Sequence, residues 1–174
     1  MENIQKACDG AFLIIQYGNK YCLYRRKDSG LFNLVGGGVE TGETPITAMI
    51  REVNEEIGPT LFHLDFTLVL NLVQRIPPIK DKLYGNCFIY APLNPLEFLK
   101  RGRDEASFLS SFTLCQTETT EAKLFSLEEA IESDEVTRAT KRQLIYYHSY
   151  VVENTGRVIE STLGSGVLYK GKTY

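Results

Sequence analysis

The sequence predicts an α/β fold built as one domain, on three observations. Apolar runs flank a Gly-Asn pair near the N-terminus, an amphipathic helix with a marked start and stop follows three consecutive glycines, and a long apolar-rich helix closes the second half. The chain has 174 residues, 43% hydrophobic and 24% charged, which is enough apolar material for one core and too little length for a second. Residues 1–174 are therefore read as a single domain.

The elements follow in order. In "AFLIIQYGNKYCLYRR", Ala11 to Ile15 and Tyr21 to Tyr24 read as strands, with Gly18-Asn19 between them tolerating positive φ, so a hairpin is expected. "DSGLFNLVGGG" supplies a loop, a short apolar piece and Gly36, Gly37 and Gly38, which break any helix and let backbone approach a ligand. Thr44 suits the N-cap of the next helix, Pro45 its first position and Gly58-Pro59 its stop. Ile46, Met49, Ile50, Val53 and Ile57 recur at helical spacing and are expected to face the core. At about 100° per residue, Glu52, Glu55 and Glu56 form a separate stripe roughly 120° away, expected to point outward.

Further on, "FTLVLNLVQRI" and "YGNCFIYAPL" read as strands joined by "PPIKDK". Residues 94–112 read as an extra helical insertion capped by Asn94-Pro95 and weakened by Gly102, with a lid, a specificity element or a homodimer contact as its open roles. Ser126 and Glu129 form a capping box, and "DEVTRATKRQLIYYHSYVVEN" reads as the closing helix, its tyrosines serving the core face and rim. The tail 164–174 is read as flexible, with docking as the alternative.

Net charge is -3, which argues against nucleic acid as the main partner. The start "MENIQKACDG" lacks a signal pattern and no apolar run approaches the roughly 20 residues of a membrane span, so a cytoplasmic protein is expected. Cys8, Cys22, Cys87 and Cys115 are scattered and read as free thiols. His63 and His148 are isolated and read as structural.

The distribution of charge is more informative than its sum. From Asp28 through Gln74 stand seven acids (Asp28, Glu40, Glu43, Glu52, Glu55, Glu56, Asp65) against Arg51 alone, a local charge of -6, which leaves +3 for the rest. Glu52 and Glu56 repel at i,i+4, whereas Arg51 can pair with Glu55 at the same spacing. A solvated helix face would interleave more cations. Three carboxylates on one turn behind a glycine loop instead suit Mg²⁺ or Mn²⁺, hard ions that take a few carboxylates plus substrate phosphates.

This stretch resembles the Nudix box, G-x5-E-x7-R-E-U-x-E-E-x-G-U with U a bulky aliphatic residue, matching at Gly37, Glu43, Arg51, Glu52, Val53, Glu55, Glu56 and Gly58. Pro59 stands in place of the closing aliphatic residue, Val35 where many relatives have Pro, and Phe32 where many have Trp. None of these changes removes an acid.

The resemblance implies an α/β/α sandwich with a mixed β-sheet and a loop-helix-loop that holds metal. It also implies a MutT-like, metal-dependent hydrolase cleaving the pyrophosphate of a nucleoside diphosphate linked to another group. Glu52, Glu55 and Glu56, with a carbonyl at Gly37, would be the Mg²⁺ or Mn²⁺ ligands, and Glu43 and Arg51 would orient them. Glu55, Glu56, Glu118 and Glu121 are the candidates for the proton-accepting base, Glu118 being also a candidate metal ligand. Arg25, Arg26, Gly37 and Gly38 are the candidate substrate contacts, the arginine fork suiting phosphate.

A nucleoside triphosphate or related nucleotide is the expected substrate. A nucleotide sugar or ADP-ribose is the alternative, and a non-catalytic nucleotide sensor the rival. Pro77, Pro78 and Tyr84 fall too late after the box to match the family's markers for ADP-ribose or dinucleoside polyphosphates.

Overall fold

A computed structural model describes residues 9–59, 64–74, 85–93, 104–153, 159–160, 167–169 and 172–173. Cys8, His63, the "PPIKDK" loop with Pro77 and Pro78, Tyr84, and residues 94–103 of the expected insertion lie outside them.

One mixed sheet joins β5 (Val35–Gly38), β1 (Gly10–Leu13), β7 (Gly85–Pro92) and β6 (Phe66–Gln74) in that order. In it β1 runs parallel to β7, and the other pairs are antiparallel. A second, antiparallel sheet places β3 (Lys20–Arg26) against β2 (Gln16–Tyr17), β4 (Phe32–Asn33) and β8 (Thr119–Phe125). A third sheet pairs β9 (Ile159–Glu160), before the tail, with β10 (Val167–Tyr169) and β10 with β11 (Lys172–Thr173), both antiparallel.

The expected hairpin is only partly realised. Gly18 takes φ 59 at the turn, and β2 pairs with β3. The apolar run before the turn is divided between two sheets, because β1 pairs with β5 and β7, not with β3. Ile14 N–H donates to Tyr90 O and Cys22 N–H donates to Ile15 O, so the chain changes sheets between those two residues.

Alternation along the strands divides the core into two layers. Phe12, Tyr21, Leu23, Cys87 and Ile89 face one cluster with Leu127, Ile131, Leu144 and Ile145. Ala11, Leu13, Cys22, Tyr24 and Tyr90 face the other with Met49, Val53, Ile57 and Phe108. Helices thus cover both faces, which is the sandwich expected. The first layer is covered by α3 (Leu127–Glu132), opened by the Ser126/Glu129 capping box, and by α4 (Arg138–Tyr147), capped by Thr137. A π-helical turn, His148–Val152, ends what the sequence suggested was a single helix. Tyr146 and Tyr147 are buried there, and Tyr150 lies on the rim, stacked on Tyr146. His148 Nδ1 shares a hydrogen bond of 2.8 Å with the Tyr21 hydroxyl, a structural use.

The second layer is covered by α1 (Pro45–Ile57) and α2 (Glu105–Ser110), which is capped by Asp104. Thr44 caps α1 by accepting from Thr47 N–H, Pro45 opens it and Gly58 closes it at φ 77. Phe108 and Phe112 of the α2 segment pack on Tyr17 and Tyr24, so this segment anchors to the core through those two rings while residues 104–107 stay exposed. Cys22 and Cys87 are buried free thiols and Cys115 is a partly exposed one. Among the described residues, no helix is long and apolar enough to cross a membrane.

Candidate active site around the acidic helix

The roll of α1 about its axis shapes this site, and it differs from the roll suggested by the apolar spacing. The buried residues are Ala48, Met49, Val53, Glu56 and Ile57, while Ile46 is 38% exposed and Ile50 only partly buried. At about 100° per residue, Glu56 falls between Ala48 and Met49 near the middle of the buried arc and Ile50 falls just past its edge, while Ile46, in line with Val53 and Ile57, is left exposed at the first turn. The acidic stripe therefore does not point wholly outward. Glu56 is 2% exposed, whereas the side chains of Glu52 and Glu55 are 15% and 49% exposed.

A carboxylate so buried needs partners. Gly36 N–H donates to Glu56 Oε2 at 3.1 Å and Arg26 Nη1 donates to Oε1 at 3.1 Å. The glycine is required for the first contact: Gly36 takes φ 135, and a Cβ there would overlap the Ala11 carbonyl. Burial still dominates and pushes the Glu56 carboxyl up to about 7, opposed by the Gly36 N–H and Arg26 and reinforced by Glu52 and Glu118.

Arg51 organises the remaining acids. Its Nε and Nη2 grip both oxygens of Glu43 at 2.9 and 3.0 Å, Nη1 reaches Glu52 Oε1 at 2.8 Å and Glu55 Oε2 at 3.2 Å, and Nη2 also donates to Gly38 O at 3.0 Å. One guanidinium thus ties the helix, the acid before it and the glycine loop together. It holds the Glu43 carboxyl below its usual range, and its own pKa is raised by Glu43 and Glu52. Gly37 faces the same cluster. A Cβ there would stand 2.5 Å from Glu52 Oε1, so only glycine leaves Glu52 its place against the loop.

The two candidate arginines part company. Arg26 donates from Nε and Nη2 to Asp28, both at 3.1 Å, besides its contact with Glu56. Arg25 donates to Glu121 at 2.8 Å, Glu135 at 3.1 Å and Gly30 O at 2.8 Å, with its guanidinium 4.1 Å from the centre of the Phe32 ring. Glu121 is thereby engaged by Arg25, while Glu118 stands close enough to act electrostatically on Glu56 and Arg26. Two partners escaped the sequence reading. Asp28 was legible only as a nearby charge, and Cys115, whose N–H donates to Glu56 O at 2.9 Å, joins the site through its backbone, which no side-chain pattern announces.

The donor set suits a hard divalent ion: Glu52, Glu55 and Glu56 present only carboxylate oxygens, and Gly37 keeps the loop backbone close to them. As the side chains stand, no group of three or more acids, histidines or cysteines among the described residues converges to hold a metal. The reason is visible in the geometry, since Glu52 and Glu55 turn to Arg51, and Glu56 to Gly36 and Arg26.

Comparison with known proteins agrees with this arrangement. The NUDIX domain family model matches residues 7–147. Similar solved structures include the MutT NUDIX hydrolase from Burkholderia pseudomallei, with 19% identity, 80% of this chain and 96% of that chain covered, and a TM-score of 0.50. The E. coli dihydroneopterin triphosphate pyrophosphohydrolase shares 15% identity, with 83% and 94% covered and a TM-score of 0.57. A NUDIX hydrolase from Nitrosomonas europaea shares 19%, with 86% and 74% covered and a TM-score of 0.56. No curated protein matches the sequence significantly. These identities speak for the fold, and the family model, running from just before β1 to the last residue of α4, speaks for the family: the chain belongs to the Nudix domain family and is a Nudix hydrolase, a pyrophosphohydrolase.

Proposed function

We propose that this hydrolase cleaves a phosphoanhydride bond of a nucleoside triphosphate or related nucleotide, using Mg²⁺ or Mn²⁺ held by Glu52, Glu55 and Glu56 with the Gly37 carbonyl, and with Glu118 beside them. The observation that carries this reading is the burial of Glu56 among acids whose attached cations are both arginines. An acid held at such electrostatic cost on the core side of a helix is explained by chemistry and not by folding. The bound ion would offset phosphate charge and lower the pKa of the attacking water.

The chain's own groups supply the rest. Arg51 and Glu43 keep Glu52 and Glu55 in register with the glycine loop. Arg26 is the phosphate contact, because it reaches the acidic cluster at Glu56, whereas Arg25 is turned to Glu121, Glu135 and Gly30 and meets none of the acids of α1. Gly37 and Gly38 let a phosphate approach the loop. The proton acceptor comes from Glu55, Glu56 or Glu118, as Glu121 is held by Arg25.

A panel of nucleoside triphosphates, nucleotide sugars, ADP-ribose and dinucleoside polyphosphates, assayed with Mg²⁺ and Mn²⁺ and with products identified, tests the reading. Metal-dependent release of a nucleoside monophosphate from a triphosphate, lost in Glu56→Gln, is the expected result. Preferred cleavage of a nucleotide sugar or ADP-ribose would move the substrate to that class. Nucleotide binding without turnover would make the chain a sensor.

A further inference from the structure

Thr119 is a buried residue whose hydroxyl none of the chemistry above uses. It is 1% exposed, and its Oγ1 is buried without a hydrogen-bond partner among the described residues. A hydroxyl left in that state is unfavourable by about 1–3 kcal/mol, so its retention calls for a use.

Its placement follows from an irregularity in the strand pairing. Along β3 and β8 the partners run Cys22 with Leu124, Tyr24 with Ala122 and Arg25 with Glu121, and then the register shifts so that Arg26 pairs with Thr119. A regular ladder would have put Thr120 there. Thr120 is instead exposed, its Oγ1 donating to Arg25 O at 3.4 Å. Directly opposed residues share a face of the sheet. Thr119 therefore joins Cys22, Tyr24 and Arg26 on the side covered by α1, where Arg26 meets Glu56. Cys115 locks the arrangement from behind, its N–H donating to Glu56 O at 2.9 Å and its O accepting from Thr119 N–H at 2.7 Å.

Arg26 has two uses that compete, since the Nη1 that binds Glu56 is the donor a substrate phosphate would recruit. When it turns to phosphate, Glu56 keeps, among the described residues, the Gly36 N–H as the donor to its side chain. We infer that Thr119 is a positioning residue for hydrolysis, its hydroxyl donating to the Glu56 carboxylate as Arg26 moves to the substrate. The inference rests on the function proposed above. It adds a residue outside the acidic motif, delivered by a bulge.

The test compares wild type, Thr119→Val and Thr119→Ser in steady-state hydrolysis of the preferred substrate, alongside thermal unfolding of each protein without metal. The valine variant is expected to lose about tenfold in kcat with KM little changed, as is typical of losing one hydrogen bond to a charged group. Its melting temperature should not fall, because the hydroxyl has no partner among the described residues of the substrate-free fold. Serine should restore kcat to within about threefold of wild type, since it keeps the donor. Wild-type kcat in Thr119→Val would overturn the inference, as would an equal loss in Thr119→Ser, or a kcat loss matched by a lower melting temperature that serine does not restore. If wild type itself hydrolyses nothing in the panel, the proposed function fails, and this inference falls with it.

Discussion

Replacing Glu56 by Gln separates the electrostatic cost of this site from its purpose. The folded protein holds the Glu56 carboxyl at about 7 against an ordinary value of 4.5, with burial as the leading cause. A raised carboxyl pKa stabilises the fold fully below the unfolded value, and that stabilisation is lost as pH rises through the folded one. The metal-free protein should therefore weaken between about pH 4.5 and about pH 7, by about 3 kcal/mol at 1.36 kcal/mol per unit. Gln is nearly isosteric, still accepts from the Gly36 N–H and cannot ionise. At about pH 8 without metal, Glu56→Gln should be the more stable protein, whereas at about pH 5 the two should nearly coincide.

Urea unfolding in a chelator, read at both pH values, measures the gap, which corresponds to a midpoint shift of roughly 1 M or more at about pH 8. Adding Mg²⁺ or Mn²⁺ should then stabilise wild type and leave the variant unmoved, a gain of about 2.7 kcal/mol when the free ion is 100-fold above its dissociation constant. A variant less stable than wild type at about pH 8, or a gap independent of pH, would refute the reasoning. In either case Glu56 would be a structural partner of Arg26 and not an ionised ligand kept at a cost.

Other substitutions probe the neighbouring contacts. Gly37→Ala places a Cβ against the Glu52 carboxylate and should lower kcat by about 10- to 100-fold in a folded protein; an unchanged kcat would remove the steric argument. Arg51→Gln frees Glu43, Glu52 and Glu55 from their shared cation, so metal-free stability at neutral pH should drop, less so in high salt, and turnover should fall at least about tenfold. Arg26→Ala should raise KM by about tenfold, and kinetics that leave KM unmoved would return Arg26 to a structural role with Asp28 and Glu56.

Much of this site is legible in one dimension because its parts are local. Thr44, Pro45 and Gly58 mark the ends of α1 through backbone requirements that act within a turn, and the structure places those ends where the residues put them. Glu43, Arg51, Glu52 and Glu55 are close in sequence, and helical spacing brings Glu55 to Arg51 at i,i+4, while Glu52 follows Arg51 directly and Glu43 reaches it from the loop before the helix. The capping box at Ser126 and Glu129 is local in the same way.

What failed to show in the sequence depends on segments far apart along the chain. Apolar spacing put Ile46 toward the core and Glu56 toward solvent, but the roll of α1 is set by what packs against it, and Glu56 is buried against Gly36 of β5, Arg26 of β3 and the Cys115 backbone while Ile46 is left exposed. The run from Ala11 to Tyr24 looked like one hairpin because propensity cannot say which strand recruits β1, and β7, distant in sequence, does so. Arg25 and Arg26 are neighbours of the same type, and only the pairing of β3 with β8 sends one to Glu121 and the other to Glu56. The sequence by itself therefore determined the acidic chemistry and its helix, through short-range geometry. Tertiary packing decided which acid is buried, which arginine meets it and which threonine pairs with that arginine across the strands, because burial and cross-strand register belong to the assembled sheet and not to any single segment.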